Sequence, residues 1–224
     1  MALSCEYVDL PPIFFWFCKW VSVNRFDSSD FEKFNSISTN RRSSLVPGTI
    51  LVAAPGLRNT PLERGVILVL QNNDNGVFGV MLNKPGSQEL RSAWLQMTGT
   101  SEGEESLVHG GPIGGPVFAI HQDQSLAEME IQGGVFISAA SEKVEELIRQ
   151  TGVDYRIFFG VAGWNHQQLS REMDGGCWLQ INGSPEIVFE SPDGMWEKSL
   201  RVYGANTMCD VIGLSSLPGD PQLN

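Results

Sequence analysis

The chain has 224 residues, enough for one domain with a well-buried core and marginal for two. Hydrophobic residues at 42% and charged residues at 18% are globular values, which exclude a disordered or fibrous chain. Fifteen Lys and Arg against 26 Asp and Glu give a net charge of −11, the opposite of the basic footprint with which nucleic-acid binders displace phosphate counterions. Direct nucleic-acid binding is therefore disfavoured.

Residues 1–46 read as an extension and linker. The one strongly apolar run, Pro12 to Cys18, is broken by Lys19 and falls far short of the roughly 20 residues of a membrane helix. Glu6 and Asp9 precede it, there is no signal-peptide start or cleavage site, and Asp27, Asp30 and Glu32 disfavour a transit peptide. No membrane span is expected. Residues 36–44 turn to Ser, Asn, Thr and Arg, a linker composition. Two readings of the extension stay open: an over-long gene start, or a docking segment built on Phe14, Phe15, Trp16 and Phe17. Either way, removing residues 1–45 is expected to leave the core folded. Cys5, Cys18, Cys177 and Cys209 are scattered without a CxxC pair, which argues against a zinc knuckle or dithiol site and fits a reducing cytoplasm.

The domain proper spans 47–204. Thr49 to Ala53 is a short apolar strand stopped by Pro55-Gly56, and residues 57–64 form a loop. Val66 to Leu70 and Val77 to Leu82 bracket a polar turn in which Asn75-Gly76 supplies positive φ, the strongest hairpin signal in the chain. Asn83-Lys84-Pro85 stops the second strand, because proline has no N–H to donate. A helix is expected over 89–97 around Leu90, Trp94 and Met97, then an acidic surface loop over 98–106. The glycine-rich span Val108 to Pro116 precedes a strand, Val117 to His121. It can be a close-packed structural turn or an anion nest, and it is no P-loop, since no Gly-Lys-Ser/Thr follows. Val135 to Ile137 is another strand, and Ser141 is expected to cap a helix that turns Val144, Leu147 and Ile148 to the core before Gly152.

The stretch from Gly160 to Leu179 organises the rest. A buried strand, Ile157 to Ala162, turns at Gly163 into a short helix that Asn165 caps, with Gln168 positioned for the reciprocal arm of a capping box. Leu169 and Met173 share the face toward the sheet, and Gly175-Gly176 end the helix. Glu172 and Asp174 lie at its negative end, where the helix dipole disfavours them by roughly 0.3–1 kcal/mol each. Either Arg171 and solvent offset them, or Trp164, Gln168 and Glu172, at i, i+4 and i+8, make a face prepared for a partner. The Glu172 carboxylate is expected to pair with a buried donor or cation elsewhere in the chain, such as Arg58 or Arg64. Cys177 to Ile181 and Ile187 to Phe189 are expected as strands. A helix around Trp196, Leu200 and Tyr203 should stop at Gly204, leaving 205–224 as a tail.

No catalytic set emerges. His109, His121 and His166 lie in no HxH or HExxH pattern, so metal binding has no spacing support. His109, beside the glycine array, is the histidine best placed for function, although a hydrogen-bonded structural role outweighs that reading. There is no G-x-S-x-G elbow, and Cys177 reads as a small buried hydrophobe. No cofactor is implied.

The pieces GTILVAAPGL (48–57), RGVILVL (64–70), GVMLNKP (79–85), GGP (110–112), GVAGWNHQQLSREM (160–173) and WL (178–179) together resemble the YqgE/AlgH family, over residues 47–204. Val161 replaces a usual aromatic, and Asn165 and Gln167 stand where small residues are common. The resemblance implies a single α+β domain, a mixed, barrel-like bifurcated β-sheet with packed helices. Some members are described as transcriptional regulators, a pathway effect and not a molecular activity. The leading reading is a non-enzymatic cytoplasmic protein that binds a protein or small-molecule partner and affects gene expression indirectly. The alternative is a small-molecule site or enzyme pocket built from Asn83 and Pro85, Gly110 and Gly111, and Trp164, Gln168 and Glu172, which requires those three segments to converge.

Overall fold

The computed structural model describes residues 45–212. Nine strands, β1 Thr49–Ala53, β2 Val66–Asn73, β3 Gly76–Met81, β4 Leu107–His109, β5 Ile113–His121, β6 Met129–Gln132, β7 Val135–Ser138, β8 Tyr155–Trp164 and β9 Trp178–Asn182, form one curled sheet. Its order is β6-β7-β5-β8-β3-β2-β1-β9, with β4 lying parallel against β8 off that path. The helices are α1 Gln88–Thr98, α2 Ser141–Arg149, α3 His166–Asp174, the single turn α4 Pro185–Val188, and α5 Met195–Ile212. This is the expected α+β domain with a barrel-like, bifurcated sheet. The extension proper lies outside the described residues. Leu45, however, is buried and its carbonyl accepts from Asn72 Nδ2 at 2.8 Å, so a cut that spares the domain falls before Leu45.

Period-two alternation sends the strand side chains to two sides. Ile50, Val52, Leu68, Val80, Phe118, Ile120, Ile137 and Phe158 fill the concave side, closed by Met195 with Trp196 and Leu200 of α5. The opposite face of β1–β3 carries Leu51, Ile67, Val69 and Met81 and is covered by Leu169 of α3. The opposite face of β5 and β8 carries Ala119, Ile157 and Phe159, covered by Leu90 and Trp94 of α1 and by Val144 and Leu147 of α2.

The fork is at Gly160. Residues 155–159 of β8 pair with β5 on one side and 157–159 pair with β4 on the other, whereas Ala162, Gly163 and Trp164 pair with Gly79, Phe78 and Val77 of β3. Gly160 joins the halves at φ +75°, a left-handed conformation that only glycine adopts without cost. The glycine array packs against that joint. Gly110 donates its N–H to Phe159 O at 2.8 Å and receives Met81 N–H at 2.7 Å, and a Cβ on it would sit 2.2 Å from Gly160 O.

Several local expectations are corrected. Ile187 to Phe189 is not a strand: Pro185 takes the first position of a helical turn, where its missing N–H is unneeded. Gly204 does not stop α5, which continues to Ile212 with Cys209 buried. One glycine costs a helix interior only about 1 kcal/mol, too little by itself to end it. Ser141 is the first residue of α2, not its cap: Glu128 accepts from Ala139 N and Ala140 N at 2.8 and 3.4 Å instead. In the β2–β3 turn Gly76 has positive φ, and Asn75 does not. Met97 of α1 is exposed, while Ser87 caps the helix and Gly99 closes it.

The fork gives a paired test. Gly110→Ala forces backbone apart and should lower stability by about 1–3 kcal/mol in urea denaturation. Gly115→Ala, whose Cβ would meet nothing closer than Gly160 Cα at 3.9 Å, should stay within about 0.5 kcal/mol of wild type.

Candidate functional site: a carboxylate clamp between two tryptophans

The helix after β8 forms as the sequence reading expects. Asn165 is extended, its side-chain oxygen accepts Gln168 N–H at 2.8 Å, and α3 starts at His166. Leu169 is buried and Met173 is half-buried against the sheet. Gly175 donates to Arg171 O, and Gly176, at φ +69°, makes the left-handed turn into β9.

The side chain of Glu172 is the centre of the site. Its Oε2 accepts from Trp164 Nε1 at 3.0 Å and from Trp178 Nε1 at 2.7 Å, and its Oε1 accepts from Gln168 Nε2 at 2.8 Å. The two indoles meet edge to face, 5.6 Å between centroids and 85° between planes. The Gln168 amide is thus turned to Glu172 and not back to Asn165. The arginines expected as donors are elsewhere: Arg58 Nε donates to Pro55 O, and Arg64 pairs with Glu197 and lies over the Trp196 ring at 4.7 Å. Trp178 is the member the sequence reading missed. An indole N–H is an obligate donor, so a buried Trp one strand away from an acidic helix end is the signal that could have found it.

The other sequence-predicted residues form a second group. Asn83 accepts Val66 N–H at 3.0 Å and donates to Arg64 O at 2.8 Å, bracing the loop before β2. Lys84 adds a bond from its ammonium to Pro61 O. Pro85 bridges Val108, the middle residue of β4. Gly110 and Gly111 lie on the backbone of β8, where a Cβ on Gly111 would be 2.2 Å from Val161 C. Asn83 is six residues beyond Val77, the partner of Trp164, which puts the two at opposite ends of β3, about 20 Å apart at the strand rise. The structure therefore brings together Trp164, Gln168 and Glu172, and sets them apart from Asn83 and Pro85. A separate cleft of about 100 Å³ opens where the two ends of the sheet approach, lined by Gly48, Leu68, Ile131, Val135, Pro185 and Val188 among others.

The histidines are distributed over the fold. His166 Nε2 meets Asn72 Oδ1 at 3.0 Å, and His109 lies near Lys84 with its imidazole held below the ordinary range by desolvation and then by that charge. His121 is fully buried. Its Nδ1 accepts Asp123 N–H at 3.2 Å, which places the proton on Nε2, 2.9 Å from Ser138 Oγ, and Ser138 in turn donates to Leu126 O. Among the described residues no group of three or more His, Cys, Asp or Glu is placed to hold a metal ion, and no helix is long and apolar enough to cross a membrane.

Two measurements follow from this geometry. Glu172→Gln leaves one indole N–H or the Gln168 amide facing another donor, and should lower stability by about 1–3 kcal/mol in urea denaturation followed by tryptophan fluorescence. A neutral result removes the clamp as a structural device. Burial pushes the His121 imidazole below the ordinary 6.5, reinforced by Lys143 and opposed by Asp123 and Glu128. Below that pH the unfolded chain takes up a proton that the native chain resists, so stability is full above about 6.5 and falls as the solution is acidified. The urea midpoint should fall between neutral and mildly acidic pH, and fall less in His121→Gln.

The AlgH-like family model matches residues 50–208. A UPF0301 protein of Cytophaga hutchinsonii is 30% identical over 188 residues, covering 80% of this chain and 100% of that protein. The UPF0301 protein CT0663 of Chlorobaculum tepidum is 33% identical over 189 residues, covering 81% of this chain and 98% of that protein. In fold, the chain is similar to the solution structure of the AlgH protein from Pseudomonas aeruginosa, with a TM-score of 0.60, 18% identity and coverage of 81% and 100% of the two chains. It is similar too to protein DIP2367 from Corynebacterium diphtheriae, with a TM-score of 0.59, 23% identity and coverage of 76% and 92%. With a family match across most of its length, this chain belongs to the AlgH-like family.

Proposed function

We propose that this protein acts by binding a protein partner in the cytoplasm, without catalysing a reaction, and that it bears on gene expression indirectly. The observation that carries this reading is how its polar groups are committed. Glu172 accepts from three neutral donors, His121 is fixed between Ser138 and the backbone, and both ends of the Asn83 amide hold the loop before β2. A general acid or base must reach a substrate proton, and these side chains are turned toward partners within the fold, which favours bracing over catalysis.

In this reading Trp164, Gln168 and Glu172 hold α3 rigidly, so that its outer residues His166, Gln167, Ser170 and Arg171, all exposed, present a fixed contact face. Asn83, Pro85, Gly110 and Gly111 support the neighbouring loop and the fork. The roughly 20 Å between Asn83 and Trp164 favours a macromolecular partner over a small molecule enclosed by all three segments. The net charge of −11 works against phosphate contacts, which favours protein over DNA.

Native mass spectrometry of the chain isolated from its own cells is the test. The expected result is a complex with a protein, weakened by replacing Gln167 and Arg171 with alanine. A bound nucleic-acid duplex, or a stoichiometric small molecule in place of a protein, overturns the reading.

A further inference from the structure

We infer that the outer edge of β9 is a docking site for an extended peptide segment of a partner protein, which adds to the sheet as a further strand and seats an aliphatic side chain in the cleft at the strand's end. This rests on reading the chain as a binding protein and specifies the chemistry of what it binds.

The register fixes which groups are free. Among the described residues β9 pairs with β1, Val52 opposite Leu179 and Ile50 opposite Ile181. Ala54 N–H donates to Cys177 O at 2.9 Å and Gly183 N–H to Gly48 O at 3.1 Å, so the odd-numbered residues of this segment turn their backbone groups to β1. In an antiparallel ladder the alternate residues turn theirs away. Trp178, Gln180 and Asn182 therefore aim their N–H and C=O groups outward, and among the described residues no strand pairs with that side.

Edges of this kind are normally blunted by charge, proline or a bulge. The other end of the sheet is: β6 carries the exposed Glu130, and its register against β7 shifts between Glu130 and Gln132. β9, Trp-Leu-Gln-Ile-Asn, has no charge and no proline, and its register against β1 is unbroken over all five residues. It has the chemistry of a strand left open for pairing.

The cleft supplies the selectivity. Gly183, Ser184, Pro185 and Val188 directly follow β9 and form one wall, and Leu68, Ile131 and Val135 form the apolar remainder, around about 100 Å³. An apolar cavity of about 150 Å³ takes a benzene molecule, so this one fits a single aliphatic side chain. Strand addition with main-chain bonds for affinity and a side-chain pocket for specificity is a recurring recognition mode. Charge sets the flanks. Exposed Asp174 precedes the strand, exposed Glu186 follows it, and the chain is acidic throughout, so the fitting segment is neutral where it pairs and carries Lys or Arg beside that stretch.

The test is selection of short random peptides displayed on phage against the full chain, followed by fluorescence polarisation with the enriched peptides. Enriched sequences should share a neutral core with one aliphatic position and basic flanks. Gln180→Pro removes an outward N–H that takes no part in pairing with β1, so the fold should stand, checked by thermal melting, while peptide affinity falls about tenfold or more. Ile131→Trp, which fills the cleft, should abolish the preference for an aliphatic residue. The proposal is overturned if no sequence enriches, or if Gln180→Pro binds the enriched peptides as tightly as wild type. It is equally overturned if light scattering shows a dimer that Gln180→Pro dissolves, which would give the edge to a second copy. A protein partner retained by Gln180→Pro in native mass spectrometry would leave the binding reading intact while removing this one.

Discussion

The glycine-rich stretch at Gly110 and Gly111 must pass β8 at backbone distance, and that constraint shapes the molecule. Gly110 and Gly111 lie so close to residues 159–162 that any Cβ on them would fall 2.2 Å from backbone atoms of β8, and Gly160 needs a left-handed φ at the same place. Were the approach relaxed by an ångström, Gly110 would lose both its bond to Phe159 and the one from Met81, and β8 could no longer serve β4, β5 and β3 together. The fork lets the sheet curl. The curl brings the β6–β7 turn over the start of β1, close enough that a Cβ on Gly48 would meet Gln132 Oε1 at 1.9 Å. The concave side is then closed by α5. Glycine here serves contact between backbones and not flexibility, which is why the array forms no anion nest around the Gly110 amide: that N–H is already bonded.

Downstream of the fork, the clamp at Glu172 shows how a charge can sit at the wrong end of a helix. The dipole of α3 opposes a carboxylate there by a few tenths of a kcal/mol to about 1 kcal/mol. Three neutral N–H donors offset that, and each of the two buried indoles gains the acceptor it would otherwise lack. A basic partner would have required a second charge to be desolvated. The same economy appears at Arg156, buried on the concave side. Its guanidinium donates to Leu82 O at 2.8 Å and to Glu190 O, and desolvation holds its pKa below the usual arginine value. Backbone carbonyls, not a carboxylate, tie the segment before α5 to the end of β3.

Much of this was legible in the sequence. The β2–β3 hairpin, the strand–helix–strand run from β8 to β9, the Asn165 cap and the inward face of Leu169 and Met173 all follow from local pattern and turn chemistry, and the ordered motifs identify the fold. What escaped reading was set by tertiary partners. Nothing local says that Trp178 shares an acceptor with Trp164, because they meet only across β1–β3. Ser141 lost the capping role to Glu128, thirteen residues earlier, because β6 and β7 bring that carboxylate to the helix start. Gly204 did not end α5, because one glycine costs a helix interior only about 1 kcal/mol, too little by itself to stop it. Asn83 looked like a ligand-site residue in a GVMLNKP motif. An amide with a donor and an acceptor at one end suits bracing a loop equally well, and sequence alone cannot choose between them.

The distribution of charge carries the remaining weight. A net acidic chain can still bind nucleic acid if its few cations are gathered on one face with their charge unopposed. Here Arg64 faces Glu197, Arg91 faces Glu104, Lys143 faces Glu128, Arg149 faces Glu145 and Glu146, and Lys198 faces Glu190. Exposed pairs of this kind contribute little to stability, about 0–1 kcal/mol each. Their effect on the outer field is larger, because each cancels a positive charge within a few ångströms of the described surface. Two surface elements in this acidic setting carry little or no negative charge of their own. The exposed polar face of α3, held by the Glu172 clamp, and the uncharged edge of β9 that begins four residues after it are contiguous in sequence and anchored by the same two tryptophans.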